Sequence, residues 1–242
     1  MIASDTIKVL STKYQTAELN VWREYVEHLF LSYFYQQPQA RQIFFKGGTA
    51  LRIIYKSPRF SEDLDFGSTL HDINEIETAV LHTIDAVELE GIKVRIISSD
   101  KTSGGYLANL EFELAQITVR LRLEASFRET ELGGETEQVI NDFMPPYLVN
   151  VLARDQLVGG KVAALLDRHK PRDFYDLYYL LQNNFVPVEQ RGKLREVLPL
   201  VESTQINFTQ ELKTFLPASL WPIIKDFQSV LDRTIKRFIG QS

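Results

Sequence analysis

The chain has 242 residues, of which 44% are hydrophobic and 24% are charged, as in ordinary globular proteins. This composition excludes a disordered protein, and the absence of cysteine excludes disulfides, thiolate zinc sites and cysteine nucleophiles. The formal net charge of −5 argues against a protein that coats nucleic acid nonspecifically.

The sequence contains no apolar run long enough for a membrane helix, and its first residues lack the apolar segment of a secretory signal. We therefore expect a cytoplasmic protein with no membrane partner. Its four histidines are scattered and form no pair at metal-ligand spacing, so any metal would be held mainly by oxygen.

Helix and strand patterns alternate in the first part of the chain. A short apolar strand ends at Gly47 and Gly48, the following helix can be capped by Thr49, and a strand begins at Asp63. The predicted helices cover about residues 16–37, 49–55 and 73–90, and the predicted strands cover residues 42–45, 63–66, 92–98, 106–115 and 117–126.

The pattern becomes helical after about residue 150. We predict an α/β (α+β) fold in which a small mixed sheet with flanking helices is followed by a C-terminal helical region. Residues 1–150 form the α/β core with its N-terminal helix, and residues 151–242 form a helical domain that contributes to the active site. The helices of this second domain are predicted at about residues 154–169, 172–183, 188–202, 207–216 and 219–239.

A glycine turn followed by two aspartates is the most informative stretch of the first domain. Gly47 and Gly48 expose backbone amides at the start of a helix, an arrangement that favours phosphate. Side chains two apart in a strand share a face, so Asp63 and Asp65 point together. Such a pair beside a phosphate cradle suits divalent cations that carry a nucleotide. The alternative is a capped turn followed by a solvated strand edge.

Three segments carry a resemblance to a known family: KGGTAL from Lys46, RFSEDLDF from Arg59, and KVAALLDRHKPRDFYDLYYL from Lys161. Their order resembles that of the DNA polymerase β-like nucleotidyltransferases, and more narrowly of the AbiEii/AbiGii-type toxin nucleotidyltransferases, over about residues 40–182. The resemblance implies transfer of a nucleoside monophosphate from an NTP to an acceptor hydroxyl, with release of pyrophosphate and the help of two Mg²⁺ ions. It further implies an RNA acceptor, especially the 3′ end of tRNA, and a toxin–antitoxin system with a cognate antitoxin.

The superfamily resemblance also implies a third carboxylate on a later strand. Glu124 is our choice, which makes Asp63, Asp65 and Glu124 the predicted metal ligands. The family pattern there is Lys-x-Glu-x-Ser, and this chain has Arg122 in place of the lysine. Glu111 and Glu113 alternate with apolar residues in the same way and remain alternative candidates for the third carboxylate.

We predict that glycine backbone amides and basic or hydroxyl side chains bind the phosphates. The resemblance implies that Lys161 contacts the triphosphate, although a lysine beside an apolar helical stripe is ordinarily a surface residue. Gly159 and Gly160 before it suggest close backbone approach. The predicted nucleotide-binding residues are Lys46, Gly47, Gly48, Thr49, Arg59, Ser61 and Lys161.

The segment after Pro171 carries two aspartates three residues apart. The resemblance implies a functional acid here, and we assign Asp176 first, near the acceptor, with Asp173 as the alternative. The basic cluster at residues 168–172 could grip RNA or nucleotide phosphates, or could be a solvated turn.

Three hypotheses follow. The chain is a toxin nucleotidyltransferase that modifies RNA, an enzyme of the same class that modifies a protein hydroxyl, or a non-catalytic binding protein that retains the fold.

Overall fold

A computed structural model describes residues 1–70, 72–114, 117–128 and 131–240 of the chain. These residues form two compact units. The first contains Met1–Lys56 and Phe60–Ala153, and the second contains the three residues Ser57–Arg59 together with the chain from Arg154 onward.

A seven-stranded mixed sheet in the order β3-β4-β5-β2-β1-β7-β6 is the centre of the first unit. β2 pairs with β1 in antiparallel and with β5 in parallel orientation, so the strand that begins at Asp63 lies in the middle of the sheet. The strands are β1 (Ile43–Lys46), β2 (Asp63–Ser68), β3 (Lys93–Thr102), β4 (Gly105–Leu114), β5 (Ile117–Ser126), β6 (Gly134–Val139) and β7 (Tyr147–Leu152).

In the described part of this unit four α-helices accompany the sheet, and α2 buries the largest number of residues. Its Phe34 ring lies 5.2 Å from that of Phe66 on β2, so α2 covers the apolar face of the central strand. Burial of such aromatic side chains is the main stabilising term of a core of this kind. The helices are α1 (Ser4–Tyr14), α2 (Glu18–Phe34), α3 (Gly47–Ile53) and α4 (Ile73–Leu89).

The second unit is helical in its described part. Its core contains the rings of Phe174, Phe208 and Phe227, with Phe208 and Phe227 5.0 Å apart. Pro171 starts α6, because proline at the first helical position loses no intrahelical hydrogen bond. The helices are α5 (Arg154–Arg168), α6 (Pro171–Gln182), α7 (Leu194–Ser203), α8 (Phe208–Phe215), α9 (Trp221–Lys225) and α10 (Phe227–Ile239).

The predicted mixed α/β fold is confirmed, and three elements were missed. α1 buries only Ile7 and Leu10, which is too thin an apolar stripe to stand out in the sequence. β6 is polar and mostly exposed, and β7 is held in the sheet by parallel pairing with β1. The predicted helix 219–239 is interrupted at Asp226. Ala115, at the end of a predicted strand, lies outside the described residues.

Candidate active site

The glycine turn lies directly against an aspartate of β2. Gly47 has φ +85°, a conformation that side chains with a Cβ rarely adopt, and a Cβ built there would lie 2.1 Å from Asp65 Oδ2. Glycine is therefore required at this position for two independent reasons. The predicted closeness of the turn and the Asp63–Asp65 pair is confirmed for Asp65 by this contact.

Thr49 has a different role from the predicted helix cap. The helix begins at Gly47, so Thr49 lies inside its first turn, and its fully buried hydroxyl donates to the main-chain oxygen of Asp63. Lys46 is the N-cap residue, and its side chain makes no capping hydrogen bond. Thr49 thus ties the first turn of α3 to the start of β2.

The register of the sheet places the predicted residues in one row. Asp65 pairs with Lys46 on β1 and with Glu124 on β5, so the three side chains share a face of the sheet. Asp63 pairs with Arg122 in the next row of the same face. Leu64 and Phe66 are fully buried on the other face.

This register favours Glu124 over the two alternative glutamates. Glu111 on β4 is buried and forms ion pairs with Arg95 on β3 and Arg120 on β5. Glu124 is paired with Arg122, whose Nη2 lies 2.9 Å from Glu124 Oε2. Arginine at the place of the family's lysine therefore holds the predicted third carboxylate. Glu113, the other alternative, pairs with Lys93 at 3.3 Å.

The donor set suits a hard divalent cation in part. Two carboxylates on one face of β2, next to a turn whose Gly47 contacts Asp65, offer the oxygen ligands that Mg²⁺ prefers. Among the described residues no three acidic or histidine side chains converge closely enough to hold a metal ion. Glu124, the third predicted ligand, accepts a hydrogen bond from Arg122 on Oε2.

A cleft of about 340 Å³ lies beside Asp63. Its wall includes the guanidinium groups of Arg120 and Arg122 and the side chain of Asn109, all on the polar face of the sheet. Arg23 on α2 completes the wall and pairs with Glu62 at 3.0 Å. The cleft thus brings cationic groups next to a carboxylate, as a site for a metal-bound phosphate requires.

Glu27 is a buried carboxyl that the sequence prediction missed. It is 1% exposed, and its Oε1 has no hydrogen-bond partner within the described part of the chain. Burial raises the pKa of Glu27 well above its usual value, and the charges of Glu24 and Asp63 add to this effect. The available signal was its spacing from Asn20, Glu24 and Leu31, which form a buried stripe along α2.

In the second unit, Asp176 holds two cations. Arg59 binds it in bidentate fashion, with Nε 2.7 Å from Oδ1 and Nη2 3.0 Å from Oδ2, and Lys161 Nζ lies 2.7 Å from Oδ2. Burial alone would raise the pKa of Asp176, but the charges of Arg59 and Lys161 outweigh it and lower the pKa to about 2. The Lys161 side chain is only 11% exposed, so it is not an ordinary surface lysine.

Asp173 is also buried, and Arg168 satisfies it with Nη2 2.6 Å from Oδ1. Part of the basic cluster at residues 168–172 is therefore committed to an ion pair. The close approach suggested for Gly159 and Gly160 is wrong for Gly160: no heavy atom within the described residues lies within 4 Å of a Cβ built there. Ser61 is half-buried.

Comparisons with known proteins give the family and the fold of this chain. A family profile described as the nucleotidyl transferase AbiEii toxin of type IV toxin–antitoxin systems matches residues 29–233. The fold is similar to the crystal structure of JHP933 from Helicobacter pylori, with a TM-score of 0.66 and 19% identity over 93% of this chain and 94% of that one.

A second H. pylori structure, described as a candidate nucleotidyltransferase, has a TM-score of 0.64 and 18% identity over 93% of this chain and 96% of its own. No curated protein sequence matches. Because the family profile covers most of the sequence, the chain belongs to the AbiEii family of toxin nucleotidyltransferases.

Proposed function

We propose that this nucleotidyltransferase transfers a nucleoside monophosphate from an NTP to an RNA hydroxyl, at the 3′ end of tRNA, as the toxin of its toxin–antitoxin pair. The observation that carries the proposal is the row formed by Lys46, Asp65 and Glu124, with Asp63 beside it and Gly47 in contact with Asp65. The RNA acceptor and the antitoxin partner come from the family resemblance.

Asp63 and Asp65 are the residues that would hold divalent cations, two Mg²⁺ ions in our proposal, with Glu124 as the third ligand. Bound there, the cations would offset the phosphate charge and lower the pKa of the attacking hydroxyl. Lys46 and the first-turn amides after Gly47 would bind phosphate oxygens, because first-turn amides lack intrahelical acceptors.

The chemistry balances without a covalent enzyme intermediate. The acceptor oxygen forms a bond to the α-phosphorus, the bond from that phosphorus to the bridging oxygen of the β-phosphate breaks, and pyrophosphate leaves. The hydroxyl proton passes to solvent. The side chains contribute position and charge, which is the main source of rate enhancement in phosphoryl transfer.

The proposed roles of Lys161, Arg59 and Asp176 are supported by the family resemblance and by the hydrogen bonds that join both cations to Asp176. With a pKa of about 2 and both oxygens bound to cations, Asp176 stays anionic at neutral pH. We assign it the positioning of Lys161 and Arg59, which would bind phosphate. Ser61 and Thr49 remain predicted contacts of the nucleotide, although Thr49 uses its hydroxyl on Asp63.

The test is a labelling experiment with purified protein, total RNA and each α-labelled NTP in turn, with and without Mg²⁺. We expect metal-dependent label in RNA of tRNA size with one or more NTPs, and its loss in Asp63→Asn. Label that enters protein while RNA stays unlabelled would overturn the RNA acceptor and favour a protein hydroxyl. Absence of label in both fractions with Mg²⁺ or Mn²⁺ would overturn the proposed reaction.

A further inference from the structure

A second cavity in the first unit, of about 270 Å³, shares no lining residue with the proposed nucleotide site. It lies between the ends of α1 and α3, the middle of α2 and the loop 140–143. This volume is sufficient for a small metabolite. We call it the Lys56 cavity.

Asn141 lines this cavity and carries an amide donor that has no partner among the described residues. Asn141 Oδ1 accepts from the main-chain N–H groups of Phe143, at 2.8 Å, and Met144, at 3.0 Å. Two donors on one atom fix that atom as the oxygen, so the orientation of the amide is determined. Asn141 Nδ2 is buried and has no hydrogen-bond partner in the part of the chain that the structure describes. A buried donor left unpaired is costly, and a bound acceptor would remove that cost.

Lys56 supplies a cation at the same place. Its Nζ donates to the carbonyl oxygens of Ile53, at 2.9 Å, and Ile140, at 3.4 Å, and it forms no salt bridge with a described residue. Its backbone has φ +62°, which is uncommon for a residue other than glycine or asparagine. Partial burial lowers the pKa of Lys56, the charge of Glu24 opposes this effect, and the charge of Arg52 adds to it.

The other charged groups of the cavity are already paired. Arg52 binds Glu24 in bidentate fashion at 2.9 and 3.1 Å. Asp142 is bound by Lys13, at 2.6 Å, and by the hydroxyl of Tyr14. Among the described residues that line the cavity, Lys56 is therefore the charged group that has no ionic partner.

His28 adds no charge to this balance. Burial lowers the pKa of His28 to about 3, and the charges of Lys56 and Arg52 add to this effect, so the ring is neutral at pH 7. The charged side chains that line the cavity sum to zero, and with Lys13, the partner of Asp142, included they carry one net positive charge at neutral pH. Positive charge next to an unpaired amide donor selects a ligand that is both anionic and an acceptor.

We propose that the Lys56 cavity binds a small anion of the phosphate or carboxylate type, with its oxygens on Asn141 Nδ2 and Lys56 Nζ. Such a ligand would be held at the C-terminal end of α3, the helix whose first residue is Gly47. This makes the cavity a site for a small effector, separate from the nucleotide. The inference does not depend on the proposed reaction, because binding can be measured without NTP or RNA.

The test is calorimetric titration of the purified full chain with inorganic phosphate and, separately, with succinate, against sodium chloride at equal ionic strength. The two titrations distinguish a phosphate ligand from a carboxylate ligand. Lys56→Asn removes the cation and suits the left-handed backbone, and Asn141→Asp keeps the acceptor for Phe143 and Met144 but removes the amide donor. Lys8→Gln, an exposed lysine on α1, is the matched control.

We expect saturable binding of one of the two anions, weakened at least about tenfold in Lys56→Asn, a loss of about 1.4 kcal/mol, and abolished in Asn141→Asp. Lys8→Gln should bind as the unmodified protein does. Binding that is lost in Lys46→Ala but kept in Lys56→Asn would place the anion at the glycine turn and overturn the proposal. Absence of saturable binding at millimolar concentrations of both anions would also overturn it.

Discussion

At the scale of single residues, the carboxylates on β2 are expected to matter for chemistry and little for folding. Asp63 and Asp65 lie on the polar face of the central strand, whereas Leu64 and Phe66 supply its buried contacts. A carboxylate that carries a divalent cation contributes several kcal/mol to stabilising the transition state. Its removal should therefore reduce activity far more than stability.

Asp63→Asn should reduce nucleotide transfer by about a thousandfold or more, since about 4 kcal/mol of lost stabilisation corresponds to that factor. The measurement is initial-rate labelling of RNA at saturating NTP and Mg²⁺. Asp100→Asn, on the outer strand β3 of the same sheet, is the control and should retain full activity. An Asp63→Asn protein that is folded and fully active would contradict the assignment of the site.

Asp176, unlike the β2 carboxylates, is expected to matter for stability, because it is buried together with two cationic side chains. Asp176→Asn would leave the charges of Arg59 and Lys161 uncompensated, which typically costs about 3–5 kcal/mol. Denaturant unfolding followed through the helical signal would measure the loss. Asp167→Asn, at an exposed position on α5, is the matched control and should change stability by less than about 0.5 kcal/mol. Equal stability of the two variants would show that the cluster is energetically unimportant.

At the scale of elements, the turn before α3 and the interior of α5 use glycine for different reasons. Gly47 adopts a positive φ and contacts Asp65, whereas Gly160 lies inside a regular helix. The same substitution should therefore have opposite effects at the two positions. The sequence alone did not distinguish them, because both positions show the same pair of adjacent glycines.

Gly47→Ala should destabilise the protein by more than about 1–2 kcal/mol, since a left-handed conformation alone costs an alanine about that much and the clash with Asp65 adds to it. Gly160→Ala should stabilise it by about 0.5–1 kcal/mol, because alanine is the better helix former. Thermal and denaturant unfolding of the two single variants would give both values. A neutral Gly47→Ala would mean that Asp65 can move away without cost.

Strand pairing also belongs to this scale. Alternation along β5 predicted that Arg122 and Glu124 share a face, and that prediction is confirmed by the register. Alternation along β4 made Glu111 and Glu113 equally good candidates for the third carboxylate. Glu124 is distinguished from these two residues only by the pairing of β5 with β2, which places it next to Asp65. Neighbours across strands are set by the hydrogen-bond register and not by the pattern within one strand.

At the scale of the whole molecule, stability should depend on pH through a buried histidine. His28 is 3% exposed, its Nδ1 lies 2.7 Å from the Tyr147 hydroxyl, and burial lowers its pKa from 6.5 to about 3. Below pH 6.5 the unfolded chain therefore takes up a proton at this position before the folded chain does. The contribution of His28 to stability is full above pH 6.5 and decreases as the pH falls toward 3.

His28→Gln should remove this dependence, so that the free energy of unfolding falls less steeply from pH 6.5 to pH 4 in the variant. The difference should reach several kcal/mol by pH 4, since each unit of pKa shift corresponds to about 1.4 kcal/mol. Urea titrations at a series of pH values would measure it. Glu27, whose raised pKa acts in the opposite direction, contributes to both proteins and cancels in the comparison. Parallel curves for the two proteins would contradict the prediction.

The described residues include no helix with the length and apolar character needed to cross a bilayer. The described residues form one sheet-based unit and one helical unit. The second unit also includes Ser57–Arg59, three residues that precede Asp63 in the chain by a few positions. Sequence periodicity does not predict that these three residues belong to the second unit. Arg59, one of them, forms an ion pair with Asp176 on α6.

The sequence by itself determined the fold class, the positions of most helices and strands, and the closeness of the glycine turn to Asp65 on β2. These features follow from local rules: the periodicity of apolar residues, the alternation along a strand and the conformational freedom of glycine. The family was also readable from three short segments, because their order and spacing are specific.

Only the tertiary structure decided which side chains became partners. It set Asp65 beside Glu124, and it joined Asp176 to Arg59 and Lys161. It also left Glu27 Oε1 and Asn141 Nδ2 buried without a hydrogen-bond partner among the described residues. These contacts join residues that are distant in sequence or equivalent in pattern. Their energies depend on burial and on the distance between charges, which are properties of the folded chain and not of any local segment.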